Sequence, residues 1–402
     1  MEAAPLSADD VRQALKSAAP GTEIVVRAGV YRDLALEWEA TGEKDRPITI
    51  RAEKPGGVVF SGRSGIELKG RHLVLDGFLF TDGEAPEKYV IDLAGSDCRL
   101  TNTVIDSYNP ADPEGREDKW VSLRGERHRV DRCTFHNKRS KSVTLTVWRE
   151  PGKEDRHLIE RNHFHTRPRG AEGNGYETIR IGTSEESESD SFTVVRENLF
   201  EHCDGEMEAL SVKAGACELV GNTFLESAGT LTLRHGQGSR VSGNHFIGKR
   251  KGATGGVRIY GRGHTVTGNV FIGLTGRGGA ALSLMSGEKK PKLNGYQPVE
   301  QTLVEKNLFA ANVGPAIRMD EQFDAGERPV LPQGVVFRGN ILSGTDLDRL
   351  LAGGDRAGLG VTWAPDNRVF AENQIPQSVT GDLPPPLTRA DVGAAWFREK
   401  LP

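Results

Sequence analysis

Apolar and polar residues alternate in short bursts along almost the whole chain, and Gly, Asp, Asn or Lys breaks each burst after a few residues. The segments EIVVRAGVY, PITIRAE, VVFSG and HLVLDGFLF open the series. A period of two sends alternate side chains to opposite faces of an extended strand, so the pattern predicts many short strands joined by tight turns. One stretch differs. Residues Ser7 to Ala19 predict a short amphipathic helix, with Ser7 as N-cap and Asp10 in the position of a capping-box partner. A helix ahead of the first strand would cover the apolar end of a stack of strands.

The bursts recur as a unit. One position per unit marks it: Phe78, Asn102, Cys133, Asn162, Asn198, Asn222, Asn244, Asn269, Asn307 and Asn340, usually with an apolar residue two places on. Intervals between these positions run from 22 residues (222 to 244) to 38 (269 to 307), which implies a core unit lengthened in places by insertions. The expected fold is all-β: a single-domain right-handed parallel β-helix over residues 1–402, with 1–20 as an N-terminal cap and 380–402 as a C-terminal tail. In such a stack equivalent residues lie above one another. A repeated inward Asn can then form a ladder of amide hydrogen bonds that satisfies buried backbone groups.

A second register supplies a polar face. The strands VTLTV (Val143 to Val147), TIRIG (Thr178 to Gly182), LSVK, LTLR, VRIY (Val257 to Tyr260) and ALSLM (Ala281 to Met285) direct Arg180, Lys213, Arg234, Arg258 and Tyr260 outward. Lys213, Arg234 and Arg258 are spaced by about one turn each and are expected to form a basic column. Like charges on neighbouring strands repel, so an anion should compensate them. Glu206 and Glu208, two apart before LSVK, point the same way and suit either the role of counterion or that of oxygen ligand to a hard cation. Asn174 and Glu177 in NGYETIRIG lie upstream. No EF-hand loop, nucleotide loop or separated acid/base carboxylate pair stands out.

Composition narrows the picture. With 36% hydrophobic residues, 49 Gly and only 15 Phe, 6 Tyr and 5 Trp, the chain suits short strands and turns better than packed helices. A net charge of −4 predicts no general affinity for polyanions, so nucleic acid is not an expected partner and any anionic ligand needs a local basic site. Cys98, Cys133, Cys203 and Cys217 lack metal-ligand spacing; Cys133 and Cys217 sit in apolar repeat segments and are expected as buried small side chains, with disulfides left open. No apolar run is long enough to span a membrane. MEAAPLSADD has no secretory-signal pattern, which leaves a cytoplasmic chain and a mature exported one alike; the expected location is periplasmic or secreted, as a mature protein.

The segments NGYETIRIG, GEMEALSVK, SAGTLTLRHG and TGGVRIYG resemble the signature segments of the family 6 polysaccharide lyases, which include alginate lyases and chondroitinase B. The likeness runs from EIVVRAGVY to LTRADVGAAWF. It implies a parallel β-helix that cleaves a uronic-acid polysaccharide, alginate first, by Ca²⁺-assisted β-elimination. By the same resemblance Asn174, Glu206 and Glu208 match the calcium ligands, Lys213 the Brønsted base and Arg234 the catalytic arginine, while His235 and Arg258 match substrate contacts. Arg180 and Tyr260, from the outward set, are expected to touch substrate as well. Tyr176 stands where a second Gly is frequent and Ala214 where Ser is frequent, and neither removes a catalytic group. Three other activities remain open: a dermatan sulfate lyase, a C5-epimerase, which would abstract the same proton without cutting the chain, and an adhesin-like binder. Loops carrying WREPGKEDR after Val147 and GEKKPKLNGYQ (Gly287 to Gln297) would tune substrate choice.

Overall fold

The structure, a computed structural model, describes residues 5–344, 347–371, 374 and 384–402. Its strands form three parallel sheets of 13, 13 and 12 members, and neighbours within a sheet come from successive turns of the chain. One turn shows the plan: Val194–Arg196 enters the first sheet, Leu199–Cys203 the second and Glu208–Lys213 the third. The next turn lays Glu218–Val220, Thr223–Leu225 and Thr230–His235 beside them, each parallel to its predecessor. This is the expected parallel β-helix.

Its interior is built from stacked identical residues. Asn162, Asn198, Asn222, Asn244, Asn269, Asn307 and Asn340 are buried, and each carboxamide oxygen accepts from the backbone N–H one turn earlier, as at Asn198 N to Asn222 Oδ1 (3.0 Å). The ladder continues to Asn367, which accepts from Asn340 N at 2.9 Å. Two places on, Phe135, Phe164, Phe200, Phe224, Phe246, Phe271 and Phe309 stack with ring centroids 4.5–5.1 Å apart, close to the spacing of the strands that carry them. One expectation is corrected. The ladder position in its turn belongs to Thr103, whose Oγ1 accepts from Phe78 N at 3.4 Å, and not to Asn102. Asn102 is the preceding corner residue at φ 52, in the left-handed region that Asn tolerates, and its amide donates to Asp76. A hydroxyl can replace the amide as acceptor, so identity alone misplaced the register by one residue.

The N-terminal helix spans Ala8–Leu15, ending before Ala19, and buries Ala8, Val11 and Leu15 against the first turns. Ser7 Oγ accepts from the Asp10 N–H at 3.3 Å and donates to the Asp10 carboxylate at 2.6 Å, the capping arrangement expected. All four cysteines are buried and free. Residues 384–402 lie along the outer face of the second sheet: Leu387 N donates to Thr223 Oγ1, Ala394 N to Thr134 Oγ1, and Trp396 Nε1 to Asn102 O. Among the described residues, no helix is long and apolar enough to cross a membrane.

The third sheet positions the site. Strands Glu208–Lys213, Thr230–His235 and Gly255–Ile259 end in short turns, whereas longer segments follow Leu145–Val147, Ile179–Ile181, Arg277–Met285 and Ile317–Glu321. The short turns make a floor and the long segments rise on both sides of it. Ser187 Oγ donates to Leu293 O at 3.4 Å, joining the two sides.

Candidate active site

Three carboxylates meet on the floor. Glu177 is 2% exposed and Glu206 5%, and Glu208 follows at the start of its strand. Glu206 accepts the backbone N–H of Tyr176 at 3.1 Å, yet its carboxyl is pushed up to about 8, first by burial and then by the charges of Glu177 and Glu208. Glu177 Oε2 is buried with no hydrogen-bond partner. The positive charge within reach is small: Arg258 lies 3.5 Å from Glu208 Oε1, and Arg180 lies 4.0 Å from Glu177 Oε1. Clustered carboxylates that repel one another, one of them with an unpartnered buried oxygen, fit a hard divalent cation, which takes oxygen ligands. Asn174 is exposed on the loop that carries Glu177, two residues before the Tyr176 N–H that holds Glu206.

Tyr176 secures that loop. Its ring is 1% exposed, the Arg167 guanidinium lies 5.2 Å from its centroid, and its hydroxyl donates to Glu114. A Cβ on Gly170 would stand 2.4 Å from the Tyr176 ring, so a residue without a side chain is required there. The Tyr in place of a frequent Gly is therefore a packing element.

The cations do not form a column. Lys213 pairs in register with His235, with a bulge between Val212 and Lys213, whereas Arg258 pairs with Thr232 in the row that contains Ser211 and Arg180. Stacking three cations at the strand spacing of about 4.8 Å would be unfavourable. The bulge moves Arg234 out of line, which residue counting cannot detect.

Each cation has its own surroundings. The Arg234 guanidinium donates to Gly295 O (2.9 Å) and Asn294 O (3.2 Å) and lies 5.1 Å from the Tyr260 ring centroid and 4.5 Å from that of Tyr296. Arg258 is only 6% exposed and donates to the Tyr260 hydroxyl at 3.0 Å, so it serves Glu208 from within. Tyr260, expected to touch substrate, is 1% exposed beneath Arg234, and its hydroxyl donates to Gln322 at 3.3 Å. It supports the two arginines. His235 is buried, and its pKa falls to about 3, through burial first and then the charges of Arg234 and Lys213. Beside His235 a cavity of about 400 Å³ opens, lined by Ser187, Gln237, Arg262 and Lys289 among others.

Strand alternation places Lys213 and Arg234 on one face with Glu206 and Glu208, the family resemblance adds His235, and the structure sets His235 beside Lys213 and Arg234. Sequence reasoning passed over Tyr296 and Trp148, although the two insertions that carry them had been singled out; each contributes one aromatic ring that packs against an arginine of the face. A separate trio, His163, His165 and Glu201, has donor atoms within 4.8 Å of one another on the second sheet. Arg389 already supplies its cation, donating to both Glu201 oxygens at 2.9 and 3.0 Å and approaching His165 Nε2 at 2.8 Å.

Fold and site together define a parallel β-helix protein with buried carboxylates beside lysine and arginine on one sheet face. The family model described as Chondroitinase B matches residues 6–342, and the chain belongs to this family, the family 6 polysaccharide lyases. Among solved structures, the PL6 family alginate lyase AlyGC is 33% identical with a TM-score of 0.88, covering 97% of this chain and 58% of its own. The chain thus spans a little over half the length of that relative. A mannuronic acid specific family 6 lyase from human gut microbiota is 28% identical (TM-score 0.83, 98% of this chain and 96% of its own). A PL6 alginate lyase in complex with a trisaccharide is 25% identical (TM-score 0.77, 94% and 85%). No curated protein matches the sequence.

Proposed function

We propose that this protein cleaves a uronic-acid polysaccharide, alginate first, by β-elimination at the Glu206–Lys213–Arg234 face, with Ca²⁺ as its metal. The observation that carries the reading is the Glu206 carboxyl held at about 8 beside Glu208 and the unpartnered Glu177 oxygen, a site short of positive charge. Asn174, Glu206 and Glu208 would hold the ion, with Glu177 adjacent. Bound there, Ca²⁺ supplies Lewis-acid neutralisation of the uronate carboxylate, whose charge otherwise opposes removal of the C5 proton.

The protein's own groups divide the rest of the work. Lys213 takes the C5 proton; the C5–H and C4–O bonds break, the C4=C5 double bond forms, and the leaving sugar oxygen acquires a proton from solvent. Two other candidates for the base are disfavoured. His235 at about 3 binds protons too weakly near neutral pH, and the Tyr260 hydroxyl is buried, with its pKa raised by that burial. Arg234 keeps its charge and, held by two carbonyls and two rings, stabilises the negative charge that grows on the C4 oxygen.

Dermatan sulfate is the second reading, favoured by the description of the matching family model. The test is to mix the protein with each polymer in the presence of Ca²⁺ and follow the ultraviolet absorbance of the conjugated unsaturated uronate. Absorbance with alginate supports the first reading and with dermatan sulfate alone the second. An altered sugar with intact chain length would indicate an epimerase, and binding without any change an adhesin.

A further inference from the structure

Lys119, Trp148 and Arg180 meet on the same face of the third sheet, in the turns that precede Glu206 and Glu208. Lys119 Nζ lies 5.5 Å from the Trp148 ring centroid, and the Arg180 guanidinium lies 5.6 Å from it. Two cations therefore converge on one indole. Among the described residues, none offers Lys119 Nζ a hydrogen bond or an ion pair, and the ion pair of Arg180 is the 4.0 Å approach to Glu177. Burial, and next the charge of Arg180, lower the Lys119 pKa; Glu117, Asp118 and Glu177 act in the opposite sense. Of these acids, Asp118 is already bound to Lys138 at 3.2 Å.

On the neighbouring strand, Thr146 pairs in register with Arg180. Thr146 is fully buried, and its Oγ1, like Arg180 Nε, has no hydrogen-bond partner. Buried polar atoms are nearly always paired, so unpaired ones beside two cations, one without an ion pair and the other with a 4.0 Å approach to Glu177, point to an anionic, hydrogen-bonding ligand. Farther toward the N-terminus the face changes sign. A cavity of about 400 Å³ there is lined by Glu37, Glu67, Glu87 and Asp92, with Lys88 and Arg124. Those carboxylates would repel a polyanion, which limits the anion-binding stretch to the Lys119–Arg180 segment.

We propose that Lys119 and Arg180, both packed against the Trp148 ring, form a carboxylate-binding subsite for a neighbouring uronate residue of the polymer, on the side of the acid cluster that faces the N-terminal turns. This inference rests on the uronate-polymer reading above. The two cations bind the carboxylate, and the indole keeps them from solvent and presents an apolar edge to the sugar.

The test is calorimetric binding of purified alginate oligomers of increasing length to the Lys213→Ala protein, with and without Lys119→Met. The second substitution is expected to weaken binding of long oligomers about tenfold, the loss of one charge-assisted contact, while the shortest oligomers bind equally well. The salt dependence of long-oligomer affinity should fall as well. Lys119→Arg, which keeps the charge, should retain long-oligomer affinity and controls for misfolding. Equal affinities at every length, or equal losses for the shortest and longest oligomers, would overturn the subsite. Ultraviolet absorbance with the unmodified protein reports separately on the lyase reading: its absence alongside a length-dependent effect of Lys119→Met would reject the lyase and support the subsite.

Discussion

Lys213 stands opposite His235, not Arg234, on the third sheet. The bulge that produces this pairing leaves Arg234 free to lie against two tyrosine rings, while His235, buried and with its pKa lowered to about 3, sits level with the lysine. The proposed proton acceptor and the permanent cation are thus carried by adjacent turns without being stacked on each other.

Replacing Lys213 by Ala removes the proposed acceptor and leaves the acid cluster and arginines in place. Turnover should fall about 10²–10⁴-fold, the usual range for a general base, while polymer binding persists. Steady-state kinetics together with calorimetry will check this; near-normal turnover would remove Lys213 from the mechanism.

Tyr296 packs against the Arg234 guanidinium and the Tyr260 ring, and a positioning role is expected of it. Tyr296→Ala should lower kcat about tenfold with a smaller change in KM, from the loss of one cation–aromatic contact, and Tyr296→Phe should restore most of the rate. An unchanged kcat in the Ala variant would show that the Asn294 and Gly295 carbonyls suffice.

Chelation, or Glu208→Ala, should abolish turnover without unfolding the β-helix, whose ladders lie elsewhere, and added Ca²⁺ should restore the chelated protein. The metal-free protein should also respond to pH in a definite sense. Because the folded state raises the Glu206 carboxyl to about 8, it binds the proton more tightly than the unfolded chain does, so stability falls as pH rises from the ordinary carboxylate range toward 8. Thermal denaturation at several pH values will show whether Glu206→Gln removes this slope; a slope unchanged in the variant would count against the assignment.

Arg389 links residues 384–402 to the second sheet through Glu201. Burial pushes the Glu201 carboxyl up, but hydrogen bonds from His163 and Arg389 and the charges of His163 and His165 outweigh it and hold it below its usual range. That contribution is present above the ordinary carboxylate pKa and is lost as pH falls through the folded value. Arg389→Met should cost about 1–3 kcal/mol at neutral pH, less than a fully buried pair because the guanidinium is partly exposed, and the deficit should shrink in acid. Denaturant titrations at neutral and acidic pH measure both effects.

The fold was legible because a β-helix repeats its physics every turn. Asn198, Asn222 and Asn244 each satisfy the same backbone group, and Phe200, Phe224 and Phe246 each fill the same slot, so local pattern and global stack coincide. The reading slipped where one residue could do another's task, as Thr103 does for an asparagine.

The sequence by itself determined the stacked strands, the capping helix at Ser7, the face that carries Glu206, Glu208, Lys213 and Arg234, and the family to which those segments belong. Tertiary structure decided which charges meet. A bulge displaced Arg234 from the row of Lys213, and Arg258 lies in another row, that of Ser211 and Thr232. Burial turned Tyr260 from a substrate contact into a support, and a loop distant in sequence brought Tyr296 and two carbonyls to Arg234. Strand periodicity records the direction in which a side chain leaves the backbone, but register shifts, desolvation and long-range loop packing depend on neighbours that periodicity does not encode.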